Sequence, residues 1–423
     1  MRAVIVGTGR VGCGFVGPAL RAAGFDLVFV GRNPPMVEHL GRLGRYRVRL
    51  IQAGQFEDQV VDGVRSVHCS DADAVTREVV AADLVATAVG ADSLPAAASL
   101  IAPGLLRRRE PVNVLAFENL VDAGPRLRAL VTEQLVVGDG TWRHGFAGAL
   151  VSRVIAQRLG DPRGDEPITF VGDPPRAFRV EAAGLGPALP GIPGMSLVDD
   201  YAAWMKTKLY IFGAGHATAA YVGYLKGYRF VHSAVRDPEI REVTLGAMSE
   251  GQHGVAAHFG PNLAGGPDRL PAVLARFENA ALCDPVFRVG RDPCRKLACD
   301  DRLVGAARLA EEAGAGARNL ALGIAAALYF QSVGDPSAVA LRTRLRTCGV
   351  SATLRSVCGL DPRGPLIERV ERAWNLLTPG RQPENFLLRL EPRAWAAECR
   401  RPHAAPGRIW REPRPQAAVG AAG

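Results

Sequence analysis

The sequence predicts an α/β, Rossmann-type N-terminal domain followed by a mostly α-helical C-terminal domain, and three observations carry that prediction. The chain opens on a short apolar run, Ala3-Val4-Ile5-Val6, that leads directly into Gly7-Thr8-Gly9-Arg10-Val11-Gly12. Its 423 residues are nearly three times the roughly 150 of a typical domain, so more than one core is expected. Beyond residue 194 the apolar residues recur at helical rather than strand spacing.

Taken in order, residues 3–6 form a first strand, the glycines a turn, and the following stretch to about Ala23 a helix; Asp26-Leu27-Val28-Phe29-Val30 then supplies a second strand. This βαβ order is the context in which a Gly-x-Gly-x-x-Gly motif binds a dinucleotide. Gly7 permits the tight turn, Gly9 lets the backbone approach a pyrophosphate, and Gly12 lets helix and strand pack closely. Arg10 and Val11 open the helix whose N-terminus faces the phosphates. After the second strand, where an NAD enzyme carries an acid for the ribose hydroxyls, this chain reads Gly31-Arg32-Asn33. With no carboxylate to repel a 2′-phosphate, and with Arg32 and Asn33 able to bind one, NADP(H) is favoured over NAD(H). Further strands are expected at 83–89 and 112–117. Their carboxyl ends, Thr87, Ala88, Val89 and Gly90, then Glu118 and Asn119, should face the crevice.

The Gly/Pro-rich segment 160–194 reads as a linker, so the expected domains are 1–190 and 191–390. Helices are expected at 197–212, 216–226, 236–250, 267–281, 302–313, 318–333, 336–347 and 364–378. From 391 to 423 the chain becomes Arg, Pro, Ala and Gly and reads as a flexible tail.

Composition narrows the function. At 48% hydrophobic and 22% charged residues the chain is globular. No stretch reaches the roughly 20 apolar residues of a membrane span, and the N-terminal run is too short for a signal peptide, so a cytoplasmic protein without membrane partners is expected. The eight cysteines show neither Cys-x-x-Cys pairing nor a rhythm with histidine, and no metal is expected. A net charge of +9 favours anionic ligands, but the arginines are dispersed without interleaved aromatics and do not suggest nucleic acid.

Only four of the 51 basic residues are lysines: Lys206, Lys208, Lys226 and Lys296. Where arginine is used so freely, a surviving lysine marks a place that needs a titratable amine. Lys208 and His216, eight residues apart around Gly213-Ala214-Gly215, suggest a general base and a histidine that holds a substrate hydroxyl.

The run Lys208-Leu-Tyr-Ile-Phe-Gly213-Ala-Gly-His216-Ala-Thr-Ala-Ala-Tyr221-Val-Gly223 resembles the signature of the polyol-specific long-chain dehydrogenases, the mannitol dehydrogenase family, and within it the mannitol-1-phosphate 5-dehydrogenases. Gly14-Phe15, Thr87-Ala88-Val89-Gly90, Phe117-Glu118-Asn119, Leu189-Pro190-Gly191-Ile192-Pro193-Gly194, Gly246-Ala247-Met248, Arg276-Phe277-Glu278-Asn279 and Arg291-Asp292-Pro293-Cys294-Arg295-Lys296-Leu297 extend the likeness collinearly to about residue 380. The resemblance implies metal-free hydride transfer in a cleft between two domains. It makes Lys208 the acid/base, His216 the orienting histidine and Asn119 one of two amides on the substrate oxygen. It also implies that Arg291, Arg295, Lys296 and Arg302 bind a substrate phosphate.

The sequence departs from the family pattern at three places. The second amide, five residues after the lysine, is Gly213; Ser152 stands for an aspartate in Val151-Ser152-Arg153-Val154; and Met205-Lys206 replaces an acid before Lys208. The substrate that the resemblance implies is sugar-derived and phosphorylated, mannitol 1-phosphate/fructose 6-phosphate or a close analogue. A cyclitol, a nucleoside-linked sugar, or a cofactor-binding regulator without turnover are the alternatives, in a monomer or homodimer.

Overall fold

The first strand, β1 (Arg2–Val6), pairs in parallel with β2 (Asp26–Gly31) on one side and β6 (Leu84–Thr87) on the other. The computed structural model describes residues 1–52, 55–134, 144–174 and 177–377. β5 (Val64–His68) flanks β2, while β7 (Asn113–Ala116) and β8 (Gly145–Leu150) extend the parallel sheet beyond β6. β11 (Phe178–Glu181) joins β8 antiparallel and carries β12 (Met195–Val198), giving the order β12-β11-β8-β7-β6-β1-β2-β5. The chain thus runs from β1 to one edge, returns to its other side at β6, and leaves a crevice at the carboxyl ends of β1 and β6.

Burial follows from this placement. Ala3, Val4, Ile5 and Val6 are all buried, as expected of a strand covered on both faces. One face packs Phe15, Phe29, Phe117 and Phe178 into a core. The other packs Val4, Val28, Val85 and Val114 against the helices Ala72–Val80, Leu94–Leu106 and Ala123–Glu133. A second sheet, β4 (Gln55–Val61), β3 (Tyr46–Gln52), β10 (Thr169–Gly172) and β9 (Ile155–Leu159), was not anticipated. Its signal is the alternation Tyr46-Arg47-Val48-Arg49-Leu50, which buries Tyr46 against Phe29 and Phe170 and turns Arg49 outward onto Asp58 at 2.6 Å.

After β12 the chain is helical. Asp200 caps the helix Tyr201–Thr207 by accepting from the Ala203 amide at 2.8 Å. That helix continues through a π-helical turn, Lys208–Gly213, into the helix Ala214–Leu225. The latter packs against the helices Pro238–Phe259 and Arg318–Leu328.

Several expectations are corrected. The helix expected from 197 starts at Tyr201, because Met195–Val198 pairs with β11. The segment 160–194 is not all linker, since Thr169–Gly172 and Phe178–Glu181 are strands whose apolar side chains the surrounding Pro and Gly obscured. The helices expected separately to 212 and from 216 are continuous, since the helix widens at Lys208–Gly213 instead of ending. The helical stretch expected at 336–347 reaches Cys358, interrupted by Gly349 at φ 77°. The expected tail, 391–423, lies outside the described residues, as does Cys399. The seven described cysteines are free thiols, and among the described residues no helix is long and apolar enough to cross a membrane.

Candidate active site

A cleft of about 1450 Å³ opens at the carboxyl ends of β1, β6 and β7 and is closed on its far side by helical residues. Gly9, Arg10, Val11, Ala88, Val89, Glu118 and Asn119 line the first wall, and Lys208, His216, Arg291, Arg295, Lys296 and Arg302 line the other. Eleven Lys and Arg against four Asp and Glu face it, so the cavity is built for anionic ligands.

The phosphate turn is shaped by its glycines. Gly7 has φ +127°, and a Cβ there would strike the Ala88 carbonyl; a Cβ on Gly12 would strike the Gly7 carbonyl. A Cβ on Gly9 meets nothing within 4 Å, so only a ligand stands to gain from its absence. The helix after the turn runs through a π-helical segment, Gly12–Val16, and Gly9, Arg10 and Val11 at its start line the cleft. These features fit a dinucleotide. Arg10 is crowded by Arg288 and Arg291, and burial together with those charges pulls its guanidinium down to about 10. Glu118 is buried and accepts from the Val89 and Gly90 amides, both at 2.8 Å, so it holds the β6 loop in place. Thr87 is buried at the end of β6. Arg32 and Asn33 follow β2 beyond the cleft lining; Arg32 is exposed, and Asn33 caps the helix Pro34–Leu43 through Met36 at 3.1 Å.

Lys208 and Asn119 come from different domains of the fold and meet in the cleft, Nζ to Oδ1 at 2.7 Å. Burial pulls the Lys208 amine down to about 7, with the Arg302 and Arg276 charges adding to the effect. Such an amine exchanges protons at neutral pH, which a guanidinium cannot. The π-helical turn matters here: its wider winding sets Gly213 beside Lys208, five residues earlier, and π-helical turns are frequent at functional sites.

His216 Nε2 lies 3.1 Å from Asp284 Oδ2, and its ring stacks on Phe277 at 4.8 Å. Arg288 grips the same carboxylate through Nε and Nη2, both at 2.6 Å. Burial acts to raise Asp284, but Arg288 and the His216 hydrogen bond outweigh it and hold the carboxyl well below its usual range. An ionised carboxylate only accepts, so Nε2 carries the proton and Nδ1 is left as an acceptor. Burial also lowers the His216 pKa, which keeps the ring neutral at physiological pH.

The four expected phosphate ligands share one wall but differ in availability. Arg291 is exposed. Arg295 is paired with Asp292 at 2.5 Å and Asp301 at 3.3 Å. Lys296 is buried, donates to the Arg291 carbonyl, and has its pKa pulled well below the usual value by burial and then by Arg302 and Arg295. Arg302 donates through Nε to Asp301 at 2.6 Å. Asp292 itself has φ 59°, one of two described non-glycine residues with positive φ; the other, Cys283, precedes Asp284. Strain of this kind concentrates at sites the surrounding structure must hold.

Sequence reasoning missed the Asp284 and Arg288 support of His216, and Arg276, which joins Asp173 at 2.6 Å and the Ser152 carbonyl at 2.9 Å while lying over Phe212. Arg276-Phe277 stood in a recognisable motif, but nothing in its spacing announced a partner 103 residues away.

Comparison with known proteins agrees with this architecture. The family model of the mannitol dehydrogenase Rossmann domain matches residues 1–181, and that of the mannitol dehydrogenase C-terminal domain matches 200–355. The chain is 35% identical over 379 residues to a mannitol-1-phosphate 5-dehydrogenase of Brevibacillus brevis, covering 88% of this chain and 96% of that protein. It is 34% identical over 381 residues to the enzyme of the same name from Bacillus licheniformis, covering 88% and 98%. Among solved structures, Pseudomonas fluorescens mannitol 2-dehydrogenase in complex with NAD and D-mannitol superposes with a TM-score of 0.72 at 18% identity, over 92% of this chain and 94% of that one. A D-sorbitol dehydrogenase in substrate-free form gives 0.69 at 16%, over 89% and 92%.

Proposed function

This chain belongs to the mannitol dehydrogenase family of oxidoreductases, and from that premise we propose that it transfers hydride between a nicotinamide cofactor and a secondary alcohol or ketone of a phosphorylated, sugar-derived substrate. Mannitol 1-phosphate and fructose 6-phosphate, or a close analogue pair, fit best. The observation that carries this reading is the Lys208 amine, pulled down to about 7 and held by Asn119 inside a strongly cationic cleft.

The chemistry follows from the side chains. An ammonium has three donors and no acceptor, so the Asn119 atom facing Lys208 is its oxygen, and its NH2 is free to donate to a substrate oxygen. In the reducing direction the carbonyl carbon gains a hydride, the carbon–oxygen π bond opens, and the oxygen takes a proton from Lys208. In the oxidising direction Lys208, as free amine, removes the hydroxyl proton. A bound nicotinamide supplies or accepts the hydride. His216 Nδ1 accepts from the neighbouring substrate hydroxyl and fixes which carbon is presented. Arg291, with Arg295, Lys296 and Arg302 on the same wall, supplies positive charge for the phosphate.

NADP(H) is the preferred cofactor in this reading, supported by Gly31-Arg32-Asn33 after β2 with no carboxylate among them. NAD(H) is the alternative, favoured by the NAD held in the mannitol 2-dehydrogenase structure. The test is oxidation of NADPH and of NADH by the purified protein with fructose 6-phosphate or with D-fructose. Turnover confined to the phosphate ester and faster with NADPH supports both parts. Turnover of D-fructose at an equal rate removes the phosphate, and a faster rate with NADH removes the cofactor preference.

A further inference from the structure

The family pattern expects a second amide five residues after Lys208, and glycine occupies that position. A Cβ built on Gly213 would stand 3.3 Å from Arg302 Cβ and 3.7 Å from Arg302 Cδ. The stem of Arg302 therefore fills the space into which a side chain at 213 would project. Arg302 lines the same cleft as Lys208. Its Nε is fixed by Asp301 Oδ1 at 2.6 Å, an oxygen that also receives the Arg302 amide at 2.6 Å. Arg295 reaches the other Asp301 oxygen at 3.3 Å, so Asp301 is braced from both sides and aims Arg302. Among the described residues the buried Arg302 Nη2 has no hydrogen-bond partner, although a guanidinium has five donors to place, and the side chain as a whole keeps 14% of its surface exposed.

We propose that Arg302 is a catalytic residue of this chain, donating to the reacting substrate oxygen in place of the missing amide, with Asp301 as its positioning residue. This inference rests on the lysine-based reading above and narrows the role of Arg302 within the cationic wall. In reduction, the carbonyl oxygen accepts hydrogen bonds from Asn119 and Arg302 while negative charge builds on it, and then takes the Lys208 proton. Arg302 itself gives up no proton. Its fixed charge also discourages protonation of Lys208, so the same side chain stabilises the developing oxyanion and keeps the amine titratable near neutrality.

Arg302 stands at a position the family pattern already carries, so the departure is Gly213 alone, and it leaves the Arg302 stem beside the space an amide side chain would take. The small residue makes room, and the long one reaches in from the loop before the helix Val304–Glu312.

The experiment measures kcat and KM for Arg302→Ala, Arg302→Lys and Arg302→Ala with Gly213→Asn, beside Lys208→Ala, on the ketose or ketose phosphate that the wild type reduces fastest. The Lys208 pKa is read separately by pH-dependent labelling of its amine and mass spectrometry. Arg302→Ala is expected to lower kcat by about 10²-fold, the usual loss of one oxyanion donor, with a smaller change in KM and an upward move of the Lys208 pKa. Arg302→Lys keeps the charge and the low Lys208 pKa but recovers only part of kcat. Adding Gly213→Asn to Arg302→Ala recovers at least tenfold in kcat, which a merely structural role of Arg302 would not allow. If Arg302→Ala instead raises KM for the phosphate ester, spares kcat, and leaves an unphosphorylated substrate unaffected, Arg302 binds phosphate and the inference is overturned. If Lys208→Ala keeps wild-type kcat, the lysine reading fails first, a result separable from failure at Arg302.

Discussion

The Lys208 ammonium and the Asn119 side-chain oxygen, 89 residues apart in the chain, lie 2.7 Å from each other across the cleft. One residue follows β7 and the other opens the π-helical turn of the helical half, so this pair exists only when both halves are folded together. This contact also orients Asn119, since only its oxygen can face an ammonium.

Replacing Lys208 separates chemistry from binding. Lys208→Ala should lower kcat by about 10³-fold, within the usual range for loss of a general acid/base, with cofactor affinity unchanged by fluorescence titration. Lys208→Arg should not recover activity, because arginine stays protonated near neutrality. Recovery by arginine would mean that position 208 supplies charge alone.

The same lysine costs stability. Its folded pKa is depressed, so the unfolded chain binds the extra proton between about pH 7 and the normal lysine pKa, and stability rises with pH through that window. Lys208→Met should raise the melting temperature, most below pH 7 and least above about pH 10.5. A gain independent of pH would show that Lys208 is not buried as a charge.

The histidine depends on its carboxylate. Asp284→Asn should lower kcat at least tenfold, because an amide no longer fixes the proton on His216 Nε2 and Arg288 loses its bidentate partner. Asp284→Glu, which restores the charge, should regain part of the activity. Kinetics of the two variants on one substrate check this.

The glycines of the phosphate turn should divide into two kinds. Gly9→Ala leaves the melting temperature near that of the parent, since its Cβ meets no protein atom, but weakens cofactor binding at least tenfold. Gly12→Ala lowers the melting temperature, because its Cβ meets the Gly7 carbonyl. Equal effects of the two on stability would contradict the assignment of Gly9 to the ligand.

The sequence was most legible where chemistry is local. Ala3 to Gly12 carries strand, turn and helix start in ten residues, and Lys208 and His216 share one continuous helical stretch, so spacing alone exposes them. The second sheet was harder, because β3 pairs with β10, more than a hundred residues later in the chain, and no local signal names a partner at that distance. Asp284, Arg288 and Arg276 were illegible for the same reason, since their meaning lies in whom they touch. Gly213 was read as a loss, and only the fold puts the Arg302 stem beside it.

The most direct test of the account is the pH dependence of kcat/KM in both directions, measured on the wild type and on Lys208→Ala. With Lys208 titrating at about 7, ketone reduction should be level below that pH and fall tenfold per unit above it, while alcohol oxidation rises tenfold per unit to a plateau above it. Lys208→Ala should lose both limbs. Profiles that stay flat between about pH 6 and 9, or limbs that survive in Lys208→Ala, would contradict a lysine acid/base at this site.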